Sequence, residues 1–157
     1  LKQVTHGLGY DGGAFFSHDG KKLVFRSSRP KTPAEIKEYK DLLKQGLVMP
    51  TNMEIYTCNV DGTDLKQVTQ LGNANWAPFY SADDKKIIFS SNYKQGGFHF
   101  NLYTINADGT GLEQITADAY FDAFPMFTSD GKKLVFASAR FAKAEHELNL
   151  FLADWVE

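Results

Sequence analysis

Asp11, Asn75 and Asp122 are the side chains of this sequence best placed to accept hydrogen bonds from a ligand or to hold a cation. They recur in register, since 75 − 11 = 64 and 122 − 75 = 47. Aromatic residues accompany them: Tyr10, Trp76, Tyr120 and Phe121, with Phe124 close behind. Aromatics beside polar acceptors on a concave surface make anchors for a protein or peptide partner. Two readings compete. In one, the three acceptors ring the mouth of a channel and meet a partner. In the other, each Asp or Asn satisfies its own turn, and Trp76 and Phe124 pack in the interior. Arg29 and Arg140 are also related by the same offsets (111 = 64 + 47), with Tyr93 between them. They are expected to brace one end of the fold by hydrogen bonds or stacking rather than to bind phosphate.

Other chemistries find little support. His6, His18, His99 and His146 show no metal-ligand spacing. A Gly-x-Ser-x-Gly nucleophile elbow is absent from the sequence. We therefore expect no catalytic residue, no metal and no cofactor. The segments 61–64 and 106–110 lack the remaining ligand positions of a calcium loop and read as hairpin turns. Cys58 has no second cysteine to pair with. The formal net charge is -2, with lysines and acids interspersed, so no nucleic-acid footprint is expected. No run approaches the roughly 20 apolar residues of a membrane span. The first residue is Leu and opens directly on a strand-like repeat, so the chain is expected to be a piece of a longer polypeptide.

The elements that must position these residues are set by repetition. Leu-Lys-Gln-Val-Thr at 1–5 returns at 65–69, and as Leu-Glu-Gln-Ile-Thr at 112–116. Asp-Gly-Lys-Lys-Leu-Val-Phe at 19–25 returns as Asp-Asp-Lys-Lys-Ile-Ile-Phe at 83–89 and unchanged at 130–136. Both motifs share the offsets 64 and 47. A repeat of this length with several strand signals inside it is a propeller blade. The predicted class is all-β, with units 1–64, 65–111 and 112–157. Strands are expected at 13–16, 22–27, 54–59 and 65–69, then at 76–80, 86–91, 101–106 and 112–116, and finally at 125–127, 133–138 and 149–153. The last blade lacks a fourth strand, and residues 1–5 are the kind of strand it lacks. Pro78 is placed at the start of its strand. The first unit is longer by 64 − 47 = 17 residues, and the excess lies within 30–52. There Thr32, Pro33 and Glu35 form a helix start. Ile36, Tyr39 and Leu43 line one face, with Leu42 flanking, and Gly46 is the stop.

The pattern Ser-x-Asp-Gly-Lys-Lys plus an apolar strand, then Asn-x-Asp-Gly-Thr, then Leu-x-Gln-Val-Thr, resembles the repeat of the TolB-type β-propeller. It is carried by 17–25, 59–63 and 65–69, by 81–89, 106–110 and 112–116, and by 128–136. The departures are His18, Ala82 and Ser129 where the family usually has Pro, and Asp84 in place of a turn Gly. The resemblance implies three C-terminal blades of a six-bladed ring. It implies a noncatalytic scaffold, periplasmic or extracellular, that binds a protein or peptide of the cell envelope. It leaves a rival open, an accessory propeller of a hydrolase whose catalytic domain lies elsewhere on the parent chain. Two copies of the chain could also pair as a homodimer and close a six-bladed ring.

Overall fold

The computed structural model describes residues 1–156; Glu157, the end of the third predicted unit, lies outside them. The chain forms three antiparallel sheets. The first runs in the order β1 (Asp11–Phe16), β2 (Lys22–Ser27), β3 (Glu54–Asn59), β4 (Lys66–Gln67). The second is β5 (Asn75–Tyr80), β6 (Lys86–Ser91), β7 (Asn101–Asn106), β8 (Glu113–Gln114). The third is β9 (Asp122–Phe127), β10 (Lys133–Ser138), β11 (Asn149–Asp154). Each is a propeller blade. Sequence units therefore begin one strand ahead of the sheets, so that each blade's fourth strand opens the next unit.

Local chemistry explains why the motif recurs. In each β1–β2-type turn a hydroxyl donates to the turn aspartate: Ser17 to Asp19 at 2.7 Å, Ser81 to Asp83 at 2.7 Å, Thr128 to Asp130 at 2.6 Å. The amide two residues on donates to the same carboxylate. These bonds favour the ionised form. They hold all three aspartates below the usual carboxylate range, Asp83 at about 2. In the third-to-fourth-strand hairpins Gly62 and Gly109 take φ near +92° and +93°. A side chain at Gly62 would meet the Val4 carbonyl at 2.2 Å, and one at Gly109 the Val68 carbonyl at 2.9 Å. Glycine is required there for chain passage as well as for the turn.

The first strand of every blade carries a bulge, and the residue in it has positive φ: Gly13 at 64°, Ala77 at 49°, Phe124 at 58°. Pro78 follows this bulge in the middle of β5. The expected strand-start position is thus corrected: a proline without an N–H is accommodated because β5 pairs only with β6 and is bulged there.

The core lies between blades. One cluster joins Val24 and Ile55 of the first blade to Tyr80, Ile87, Phe89 and Tyr103 of the second. Another joins Ile88 and Leu102 to Phe127, Leu134 and Phe136. Burial in the low-dielectric first cluster pushes the Tyr103 hydroxyl up to about 12. Both ends of the array are uncovered. Phe16 is 64% exposed, whereas Tyr80 and Phe127 at its register position are 1% and 8%. Leu150 is 80% exposed, whereas its counterparts Ile55 and Leu102 are 0%. Residues 1–5 form no strand. Yet Gln3 donates to the Thr5 carbonyl at 2.8 Å, as Gln67 does to Thr69 and Gln114 to Thr116.

The insertion contains helix α1 (Pro33–Leu43). Thr32 is its N-cap in a complete capping box with Glu35. Its end is closed by the Leu47 amide on the Leu42 carbonyl and the Gly46 amide on Leu43, with Gly46 at φ 72°. Ile36, Tyr39 and Leu42 form the half-buried face, while Leu43 is exposed. Leu43 was expected on that face. Leu42 takes its place because the helix is held at Tyr39, whose hydroxyl donates to the Gly9 carbonyl at 2.8 Å.

Candidate functional site

The start of β1, the end of β2 and the start of β3, with their counterparts in the other blades, lie at one end of the array, from which α1 also rises. All seven predicted site residues lie at this end, and the structure sorts them into two groups.

The three acceptors turn inward. Asn75 is fully buried. Its amide nitrogen donates to the carbonyls of Met53 (2.8 Å) and Gly72 (3.0 Å) and to Glu54 (3.1 Å), and its oxygen accepts from the Ser91 hydroxyl at 2.6 Å. Asp122 is also fully buried and accepts from Arg140 at 2.8 Å. Asp11 is half-buried and accepts from Arg29 at 2.6 Å. The arginines in turn lie over strand aromatics, Arg29 over Tyr56 of β3 at 5.4 Å and Arg140 over Phe136 of β10 and Phe151 of β11 at 5.2 and 5.5 Å. At the equivalent place in the middle blade Tyr93 packs edge-on against Tyr103. The repeated Asp/Asn register thus ties the first strand to the end of the second. In this chain it does not present an open ring of acceptors, because the two most buried members have their polar atoms directed into the blade.

The aromatics do come together. Trp76 stacks on Phe100 with centroids 4.4 Å apart, and Phe100 meets Phe121 at 5.2 Å, a row that runs from the second blade to the third. Tyr120 is exposed beside it. On the other side Trp76 faces Tyr10 across the Arg26 guanidinium, which lies 5.6 Å from the Tyr10 ring centroid and 5.8 Å from the indole. The indole N–H donates to the Pro50 carbonyl at 2.9 Å. The strap that returns from α1 thereby becomes a wall. Tyr10, Arg26, Val48, Pro50, Met53 and Trp76 enclose a cleft of about 240 Å³. A larger hollow of about 440 Å³ lies under α1, between Tyr39 and Leu42 on one side and Arg29 and Pro30 on the other.

Sequence reasoning missed Arg26, Phe100 and the Pro50 strap. A signal for two of the cleft residues was present. Arg26 stands where Ser90 and Ala137 stand in the other blades, and Trp76 stands where Gly12 and Ala123 do. These are breaks in the repeat, whereas Asp11, Asn75 and Asp122 are positions that keep it.

A protein assigned as TolB from Agrobacterium tumefaciens, known as a solved structure, superposes with a TM-score of 0.68 at 25% identity. The alignment covers 96% of this chain and 47% of that one. The chain carries blades of the TolB-type β-propeller. In sequence, these blades are 33% identical over 89 residues to an uncharacterized protein of Agrobacterium fabrum, covering 57% of this chain and 24% of that protein. They are 35% identical over 81 residues to dipeptidyl-peptidase 5 of Porphyromonas gingivalis, covering 52% of this chain and 10% of the enzyme. No family model matches the sequence. The chain thus spans less than half the length of each of these proteins.

Proposed function

We propose that this TolB-type array is a noncatalytic scaffold of the cell envelope, periplasmic or extracellular, that binds a protein or peptide at its mouth end. The observation that carries this reading is the pair of half-buried rings Trp76 and Phe121, seated on the buried Phe100 and flanked by exposed Tyr120 and by the Arg26 cleft. Trp76 lies in β5, and Phe100 and Phe121 immediately precede β7 and β9, where their mutual packing holds the rings, so little side-chain entropy remains to be lost on binding. Aromatic and arginine anchors of this kind dominate interface energetics. The uncovered faces at Phe16 and Leu150 belong to neighbouring blades. In the simplest closed form, two copies meet head to tail, and residues 1–5 of each add the strand that the other's last blade lacks.

The test is site-specific photocrosslinking in the parent protein. A crosslinker at position 120 should capture a discrete envelope protein, and one at position 83, in a turn at the opposite end, should not. Equal capture from both positions would overturn the mouth reading. A second reading is favoured by the match to dipeptidyl-peptidase 5: an accessory propeller that borders the active site of a hydrolase. An α/β-hydrolase segment in the parent gene would decide for it.

A further inference from the structure

The arginines of this chain are Arg26, Arg29 and Arg140. Arg29 is neutralised by Asp11, and Arg140 by Asp118 and Asp122. Arg26 is different. Among the described residues it forms no salt bridge. Its one side-chain hydrogen bond is a long one, from a terminal nitrogen to the Tyr10 hydroxyl at 3.4 Å. Its Nε is buried and without a partner. The nearby carboxylates are engaged elsewhere, Asp11 with Arg29 and Glu54 with the Gly72 amide and the Asn75 side chain. A guanidinium is always charged at physiological pH and has five N–H donors in a planar fork. Leaving its buried Nε without a partner, and the fork with one long bond and no anion, is costly at the wall of a cleft in a fold that pairs its other two arginines.

The surroundings fix what would complete it. Tyr10 and Trp76 hold the guanidinium between their rings, which orients the fork without using its hydrogen bonds. Val48, Pro50 and Met53 supply apolar walls, in a cleft that would admit a carboxylate on a short aliphatic stem. The seam between the second and third blades is built differently at this place. There the counterpart of Arg26 is Ser90, whose hydroxyl accepts from the Phe124 amide at 3.0 Å and closes the gap.

We infer that the Tyr10–Arg26–Trp76 cleft is a carboxylate-binding subsite, which takes either the C-terminal carboxylate or an acidic side chain of a bound peptide. This deepens the mouth-binding reading and rests on it. The carboxylate pairs bidentately with Arg26, and its aliphatic stem lies against Trp76 and Pro50.

The indole N–H groups of the two tryptophans, Trp76 and Trp155, should give separate NMR signals, and Trp155 packs on Phe127 at the far side of the array. Three probes are titrated into the intact chain: acetyl-Ala-Leu with a free carboxylate, the same dipeptide as its amide, and acetyl-Ala-Glu-amide. We expect the free acid, the Glu peptide or both to move the Trp76 signal saturably, and to leave Trp155 still. The one that binds more tightly identifies the source of the carboxylate. The amide of Ala-Leu should bind at least about tenfold more weakly, the loss of one good ionic hydrogen-bond pair. Added salt should weaken the acid and not the amide. Arg26→Met should abolish the difference between acid and amide, and Arg26→Lys should restore part of it. The wild-type comparison needs no variant, so misfolding of Arg26→Met leaves the inference testable. Equal shifts with acid and amide would overturn the carboxylate subsite while leaving an aromatic mouth that binds peptides. No saturable shift with any probe would also overturn it, and the crosslinking experiment would then judge the mouth independently.

Discussion

The two seams between blades share a plan in their interiors and differ at both ends. In each, a third-strand aliphatic residue, Ile55 or Leu102, is fully buried against the first strand of the next blade. At the mouth end, the first seam holds Arg26 between two rings beside a cleft, whereas the second is closed by the bond from the Phe124 amide to Ser90. At the opposite end, the first seam is polar. Asp84 accepts from the amides of His18 and Asp19 at 2.7 and 3.0 Å. The second brings Gly131 against Ala82, so closely that a side chain at 131 would meet the Ala82 methyl at 2.9 Å. The lesson is that a repeat fixes the dry centre of a seam, and that the ends are free to vary. The ends are where a blade array can acquire a site.

The largest expected effects test the shared interior. Leu102→Ala and Ile55→Ala remove equivalent buried side chains, and each should cost about 2–5 kcal/mol in denaturant unfolding. Closely similar losses would support one common seam. A loss at only one position would mean that the two clusters are not equivalent.

Smaller effects test the difference at the mouth. Ser90→Ala leaves the Phe124 amide without its partner and should cost about 1–2 kcal/mol. Arg26→Ser exchanges the unusual residue for the one used at the second seam, and its stability should stay within about 0.5 kcal/mol of the wild type. If Ser90→Ala were silent, or if Arg26→Ser cost as much, the contrast between a closed and an open seam would be lost.

The smallest effects concern the turns common to all blades. Asp19, Asp83 and Asp130 are depressed below the ordinary value of 3.8, Asp83 to about 2. A carboxylate depressed in the folded state contributes stability above its unfolded pKa and loses it as pH falls through the folded one. The thermal midpoint should therefore be nearly flat above pH 5 with respect to these groups, and should fall between about pH 4 and 2. Asp83→Asn should flatten that acid limb more than Asp130→Asn, because Asp83 is held lower. Identical acid limbs in both variants and the wild type would remove these turns from the account.

Much of the fold was legible. The strands predicted at 22–27, 54–59, 86–91, 101–106 and 133–138 match the observed bounds, because turn residues and apolar runs mark both of their ends. Fourth strands at 65–69 and 112–116 shrink to Lys66–Gln67 and Glu113–Gln114. Beyond those two residues the Thr69 and Thr116 hydroxyls, rather than ladder carbonyls, receive the Ile55 and Leu102 amides. The first strands begin earlier than predicted, at Asp11, Asn75 and Asp122, because the bulge interrupts the alternation that would have revealed them. Of the candidate site, the placement of its aromatics at one end of the array was legible. The fate of the acceptors was not, since an Asp that caps an arginine and an Asp that awaits a ligand look alike in sequence.

The sequence by itself determined three repeats, their turns, the capped helix and the placement of Tyr10, Trp76, Tyr120 and Phe121 at one end, because these follow from local hydrogen bonding and spacing. Only the tertiary structure decided that Asn75 and Asp122 are buried, that Arg26 has no anionic partner among the described residues, and that Pro50 returns to wall a cleft beside it. Those outcomes depend on which side chains meet across a seam between residues far apart in the chain, and periodicity within a blade carries no information about that meeting.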